Sequence, residues 1–153
     1  MNKQTLYIAA DHGGYDLKQS LVSELKSLDS LKVVDLGANK LDTDDDYPDY
    51  AAKLSKQVVK DPGSLGLLLC GSGHGVCIAA NKITGIRAAV GYSIEAAELA
   101  RRDDDVNVLC LAGRIFTTEY ASAIVNKFLN TTFRTDSDKY ARRIKKITAL
   151  EHE

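Results

Sequence analysis

The sequence predicts a doubly wound, Rossmann-like α/β fold, with about five parallel strands and helices on both faces of the sheet. Three observations predict it. Short apolar runs alternate with amphipathic stretches in the order βαβαβαβαβαα. The apolar runs are continuous, as in strands buried on both faces of a parallel sheet. The run at 67–70 breaks into Gly71-Ser72-Gly73-His74-Gly75 and then into a helical segment, which makes a strand–turn–helix junction.

Each element follows from its residues. Residues 6–10 form an apolar first strand. From Gly14 on, Leu17, Leu21, Val22, Leu25 and Leu28 recur at helical spacing. Residues 31–36 make a second strand, ended by Gly37, and the polar, acidic stretch 39–47 reads as a loop. Pro48 suits a first helical turn. Tyr50, Ala51, Leu54 and Val58 give that helix its apolar face until Asp61-Pro62-Gly63 stops it. Residues 65–69 are the third strand, and the helix after the glycine turn runs to about Lys82. Residues 86–90 are the fourth strand, and Ser93 caps a helix to about Arg102. Residues 106–111 are the fifth strand, closed by Ala112-Gly113. A helix at 117–129 places Ala121, Ile124, Val125 and Phe128 on one face, and a last helix covers 136–150. No repeat or linker divides the chain, so one domain is expected over 1–153.

Composition narrows the function. The 153 residues are 44% hydrophobic and 27% charged, with net charge -1. That gives no basic field to draw nucleic acid or a membrane surface. No secretory leader is expected, and no apolar run approaches the length of a bilayer span. Three cysteines, an odd number without a C-x-x-C pair, argue against a disulfide framework and a zinc site, and they suit a reducing cytoplasm.

In such a sheet, ligands bind outside the carboxyl ends of the strands. Asp11 and His12, the loop to Tyr47, residues 70–75 and Gly113-Arg114 all fall there. Cys70 ends the third strand beside a turn whose backbone N–H groups favour a thiolate, which can act as nucleophile or general base. The position equally fits a buried structural cysteine, and Cys77 and Cys110 read as core. Asp11-His12-Gly13-Gly14 reads either as a helix cap or as an Asp for hydroxyls beside a His for an anion. The turn spells G-x-G-x-G, a poor match to the dinucleotide fingerprint, and lacks the G-K-[ST] of a P-loop. Asp42, Asp44, Asp45 and Asp46 lack the Gly and distal Glu of a calcium loop and read as solvated. Arg142, Arg143, Lys145 and Lys146 read as a solvated helix face, with Arg143 or Lys139 also able to close over a phosphate.

Leu68-Leu69-Cys70-Gly71-Ser72-Gly73, Ile78-Ala79-Ala80-Asn81-Lys82, Gly85-Ile86-Arg87-Ala88, Asp11-His12, Asp46-Tyr47-Pro48 and Asn107-Val108 stand in the order seen in type B ribose-5-phosphate isomerases. The chain resembles that family from Ile8 to about Glu151, and the related galactose-6-phosphate isomerase subunits share much of the pattern. The resemblance implies an aldose–ketose isomerase of pentose phosphate metabolism that works through a cis-enediolate. It implies Cys70 as the base between C1 and C2, with Ser72 holding hydroxyls or assisting proton transfer. The amides of Gly71, Gly73, His74 and Gly75 would meet the enediolate oxygen. Asp11 and His12 would bind substrate, Tyr47 would line the pocket, and Arg114, Lys139 and Arg143 would meet the phosphate. It further implies no metal and no organic cofactor. A homodimer is expected, a tetramer in some members, with the site shared between subunits.

Two departures stand out. The family carries His-Asn just before its Asp-x-Asn-Val segment, and that His is credited with opening the sugar ring; this chain has Asp103 and Asp104 there. Asp103 is expected to accept the anomeric proton, with Asp104 beside it at the substrate. His74, where the family tends to be aliphatic, is a candidate replacement acid. Lys139 stands where Arg is common, and a Lys binds phosphate as a point charge. These departures leave open a six-carbon substrate, allose or galactose 6-phosphate, and a non-catalytic sugar-phosphate-binding protein.

Overall fold

The computed structural model describes residues 3–152; residues 1, 2 and 153 of the expected domain lie outside the described residues. Five strands, β1 (Gln4–Ala10), β2 (Leu31–Asp35), β3 (Leu65–Cys70), β4 (Ala88–Val90) and β5 (Val108–Ala112), form one parallel sheet in the order β2-β1-β3-β5-β4. The helices are α1 (Tyr15–Leu25), α2 (Tyr47–Lys60), α3 (His74–Ala80), α4 (Ile94–Asp104), α5 (Thr118–Leu129) and α6 (Asp138–Ala149). None of these helices is long and apolar enough to cross a membrane.

The continuous apolar strands divide their side chains between two cores. Leu65, Leu67 and Leu69 of β3 join Leu17, Leu21 and Leu25 of α1, Ala97 of α4 and Ile124 and Phe128 of α5 on one face. Leu68 and Cys70 join Leu54 and Val58 of α2 and Val76 and Ala80 of α3 on the other. Burying an aliphatic side chain of this size stabilises the fold by about 1.5–3 kcal/mol. β3 and β5 are buried throughout, whereas β4 is three half-buried residues at the sheet edge.

Most boundaries match the sequence reading, and the differences have local causes. The first helix ends at Leu25, because the amides of Ser27 and Leu28 turn back to Glu24 and Leu25 in tighter i→i+3 bonds; Leu28 is left exposed. The third helix stops at Ala80 for the same reason, and the Asn81 side chain then clamps both backbone groups of Ala88. β4 starts at Ala88, since the Arg87 amide is taken by the Asn107 side chain. Asn81 and Asn107, part of the family pattern, thus serve the frame. Tyr47 belongs to α2 as its first residue, with Pro48 behind it.

One charge pair was not expected. Lys18 is fully buried in α1, and its ammonium bonds both oxygens of Asp35 at 2.7 and 2.8 Å and the Ala38 carbonyl at 3.0 Å. This pins the end of β2 beneath the loops that follow.

Candidate active site

The strand order creates the site. From β1 the chain moves outward to β2, and from β3 it moves the other way, so the loops after β1 and β3 diverge. Register puts Ala10 beside Leu69, so Asp11 and Cys70 follow as neighbours at the carboxyl edge. The Asp11 amide donates to the Leu69 carbonyl at 3.3 Å. The turn after β5 is fastened to the turn after β3 by Gly113 N to Cys70 O at 2.8 Å and Arg114 N to Gly71 O at 3.1 Å. Glycine permits this approach: a Cβ on Gly13 would lie 2.6 Å from the Gly71 nitrogen, and one on Gly113 would lie 2.5 Å from the Gly13 oxygen.

Asp11, Tyr47, Cys70, Gly71, Ser72, Gly75, Arg114 and Ile115 line a cleft of about 420 Å³. Cys70 is 5% exposed, and its sulfur accepts a hydrogen bond from the Gly73 amide at 3.1 Å. Gly73 therefore meets the sulfur and is buried behind it, at φ +79°. The Tyr47 ring packs against Gly75, and the Arg114 guanidinium lies over Gly71. Asp11 Oδ1 accepts from the Gly13 and Gly14 amides at 2.8 and 3.2 Å, the capping role, while the residue also lines the cleft. Burial pushes the Asp11 carboxyl above its ordinary pKa against the opposing pull of His12 and the two amides.

His12 stands beside this cleft. Its ring Nδ1 lies 2.7 Å from Asp45 Oδ1, and its backbone N–H donates to the same oxygen at 3.0 Å. The Asp45 bond raises the His12 pKa; burial and the Arg114 charge oppose it, and Asp11 supports it. Asp11, His12 and Asp45 have the donor types of a metal site and lie within 4.8 Å of one another. Nδ1 and Oδ1, however, are already bonded to each other.

The remaining expected site residues lie elsewhere in the chain. His74 begins α3, is exposed, and does not line the cleft; its amide donates to Ser72 Oγ at 3.4 Å. Asp103 and Asp104 end α4, four to five residues before β5 begins opposite Gly66. Cys70 pairs at the other end of β5, with Ala112. The length of β5, roughly 13 Å at 3.3 Å per residue, separates the two edges. Asp103 is bound by Arg102 at 3.0 Å and Arg134 at 3.4 Å. The Arg102 hydrogen bond, with Arg134 behind it and against some burial, holds its carboxyl below the ordinary range. Arg134 also donates to the Tyr140 hydroxyl, and the Lys139 and Arg143 side chains flank the Tyr140 ring. Burial and the neighbouring Asp103 raise the Asp104 pKa, while Arg143 lowers it. The expected site residues therefore fall into two groups: Cys70, Asp11, His12 and Arg114 at one edge of the sheet, and Asp103, Asp104, Lys139 and Arg143 at the other.

Of the other thiols, Cys110 is fully buried and its pKa is pushed well up by burial; Cys77 is half-buried against the same core. Asp45 is the residue that sequence reasoning missed. Its side chain is 8% exposed, while Asp42, Asp44 and Asp46 are solvated as expected.

Comparison with known proteins identifies the family. The family model described as Ribose/Galactose Isomerase matches residues 6–147. A probable ribose-5-phosphate isomerase B from Mycoplasma pneumoniae is 45% identical over 148 residues, covering 97% of this chain and 95% of the relative. A ribose-5-phosphate isomerase B from Mycobacterium tuberculosis is 39% identical over 151 residues, covering 99% and 92%. The crystal structure of ribose-5-phosphate isomerase B from Mycoplasma genitalium with bound ribulose-5-phosphate superposes with a TM-score of 0.93 at 42% identity, covering 100% of this chain and 99% of that one. Matched in sequence and fold along nearly its whole length, this chain belongs to the ribose/galactose isomerase family, among the type B ribose-5-phosphate isomerases.

Proposed function

We propose that this protein interconverts ribose 5-phosphate and ribulose 5-phosphate, with Cys70 as the base that carries the proton between C2 and C1. The observation that carries this reading is a cysteine sulfur at a strand end, lining a cleft and held by the Gly73 amide. In the forward direction the Cys70 thiolate takes the C2 proton of the open-chain aldose. The electron pair forms the C1–C2 double bond of the enediolate, and negative charge moves to the C1 oxygen. The amides of Gly71, Ser72 and Gly75 are the donors left to meet that oxygen. Cys70 then returns its proton to C1, and the hydroxyl proton on O2 passes to O1 by way of Ser72. Oxidation at C2 balances reduction at C1, so the step needs no outside oxidant or reductant. Asp11 holds sugar hydroxyls, Tyr47 closes the cleft wall, and Arg114 and His12 meet the phosphate.

The working unit in this reading is a homodimer in the cytoplasm, each chain one sugar-phosphate isomerase domain. A two-fold axis brings the Asp103–Arg143 edge of one protomer over the Cys70 edge of the other. Support comes from the two groups of site residues at opposite edges of the sheet and from exposed apolar side chains: Ile78 on α3, Ile115 at the cleft, Ile147 in α6 and Leu150 just after it. α6 buries none of its residues within the chain. Asp103, held ionised by two guanidiniums, serves as an acceptor in ring opening and not as an acid.

A coupled assay over five- and six-carbon aldose and ketose phosphates tests the reading. Turnover highest on ribose 5-phosphate is expected. A preference for allose or galactose 6-phosphate moves the assignment to the six-carbon reaction, and tight binding without turnover of any sugar makes this a binding protein.

A further inference from the structure

Asp45 is unlike the acids around it. Asp42, Asp44 and Asp46 are exposed, but Asp45 turns inward with its side chain 8% exposed. Its Oδ1 accepts twice from one residue, from the His12 backbone N–H at 3.0 Å and from His12 Nδ1 at 2.7 Å. Its Oδ2 is buried with no donor within 3.5 Å, the Tyr50 hydroxyl facing the carboxylate from farther off. A half-satisfied buried carboxylate is costly, and a loop of solvated acids does not need one. What the carboxylate does gain is control of one imidazole. An ionised carboxylate only accepts, so His12 Nδ1 must carry a hydrogen, and Nε2 becomes the free end of the ring.

We propose that Asp45 is a positioning residue for substrate binding: it fixes His12 with Nδ1–H on the carboxylate and presents Nε2–H, as a cation, to the phosphate of the sugar. This deepens the sugar-phosphate reading above and rests on it. The surroundings fit. His12 is faced by Asp11 from the end of β1, by Asp45 from the loop before α2, and by Arg114 from the turn after β5. Asp45 is faced in addition by Tyr50 of α2, and the charge of Asp42 acts on that tyrosine. Two carboxylates thus balance the two cations, His12 and Arg114. A phosphate dianion arriving beside those cations strengthens the hold of His12 on its proton. The same proton is lost as pH rises through the His12 pKa, and phosphate affinity falls with it.

The test uses the full-length protein and inorganic phosphate as the probe. NMR of the ring nitrogens, with His12 identified by His12→Gln, reads the tautomer and titration of His12 with and without phosphate. Phosphate inhibition constants, KM and kcat are measured against pH for the wild type, Asp45→Asn, Asp45→Ala and the exposed neighbour Asp44→Asn. The wild type is expected to show Nδ1–H and a His12 titration that moves up with phosphate. Asp45→Asn is expected to weaken phosphate roughly tenfold near neutral pH, the scale of one charged hydrogen bond. It should also move the fall in affinity to lower pH and raise KM while kcat changes little. Asp44→Asn should match the wild type. The proposal is overturned if Asp45→Asn keeps wild-type phosphate affinity and pH dependence, or if both Asp45 variants lose kcat and stability with the pH dependence unmoved. It is also overturned if His12 of the wild type does not respond to phosphate. A wild type that binds phosphate at His12 yet turns over no sugar phosphate sinks the isomerase reading and leaves this one standing.

Discussion

The amide of Gly73 donates to the sulfur of Cys70 across 3.1 Å, and Gly73 holds that position at φ +79°. A side chain at Gly73 must adopt a left-handed conformation, and its Cβ would lie 3.1 Å from the Leu111 carbonyl carbon. Gly73→Ala is therefore expected to cost about 1–2 kcal/mol of stability from backbone strain. It should also lower kcat by moving the donor off the sulfur. Urea denaturation and steady-state kinetics read both effects, and an unchanged kcat would show that the sulfur does not depend on this amide.

Lys18, fully buried, and the partly exposed Asp35 form an ion pair under the loops that carry Asp11. Lys18→Met strands a carboxylate that is 22% exposed and keeps only its bond from the Gly37 amide. A loss of about 3 kcal/mol is expected, the low end for breaking a buried pair. Lys18→Met with Asp35→Leu should recover much of it. Denaturant midpoints check this, and a double variant no better than the single one would contradict it.

Asp103 gives an acid-side signature. Its folded pKa is lowered by Arg102 and Arg134, so its stabilisation is complete above the unfolded carboxyl range near pH 4 and is lost as pH falls through the folded value. Asp103→Asn should melt below the wild type at neutral pH, with the two curves converging in acid. The gap is expected to be small, because the pair is partly solvated. A constant gap across pH would remove the ion pairs as its cause.

The proposed dimer predicts complementation. Cys70→Ala and Arg143→Ala should each be inactive alone. Co-expressed with different tags and purified as the mixed dimer, they should show about half of wild-type activity, from one intact site in two. A mixed dimer as inactive as its parents would place the whole site within one chain.

Much of this was legible in the sequence, because apolar runs and glycines report directly on strands and turns. The run ending at Cys70 located the strand tip, and residues 106–111, apolar but for Asn107, marked a strand flanked on both sides, which the structure sets at Val108–Ala112. Lys18 was harder to read. It lies on the same helical arc as Leu17, Leu21, Val22 and Leu25, which was the available signal, but a charge there makes sense only once Asp35 is placed beside it. Asp45 carried no local signal, since its acidic neighbours share its composition and only the contact with His12 sets it apart. The edge of the sheet on which Asp103 lies follows from α4 running antiparallel to the strands, a relation that spacing along the chain does not display.

Proton exchange at carbon tests the central claim most directly. Ribose 5-phosphate is incubated in deuterated water with wild type or Cys70→Ala and followed by proton NMR at C2. The wild type is expected to remove that hydrogen as it forms ribulose 5-phosphate, and the Cys70 thiol, exchanging with solvent, to leave deuterium at C1 of the ketose and at C2 of the aldose reformed by reversal. Cys70→Ala should slow the exchange by about a thousandfold, the scale of a lost general base, while still binding phosphate. Exchange by Cys70→Ala at the wild-type rate would contradict the account.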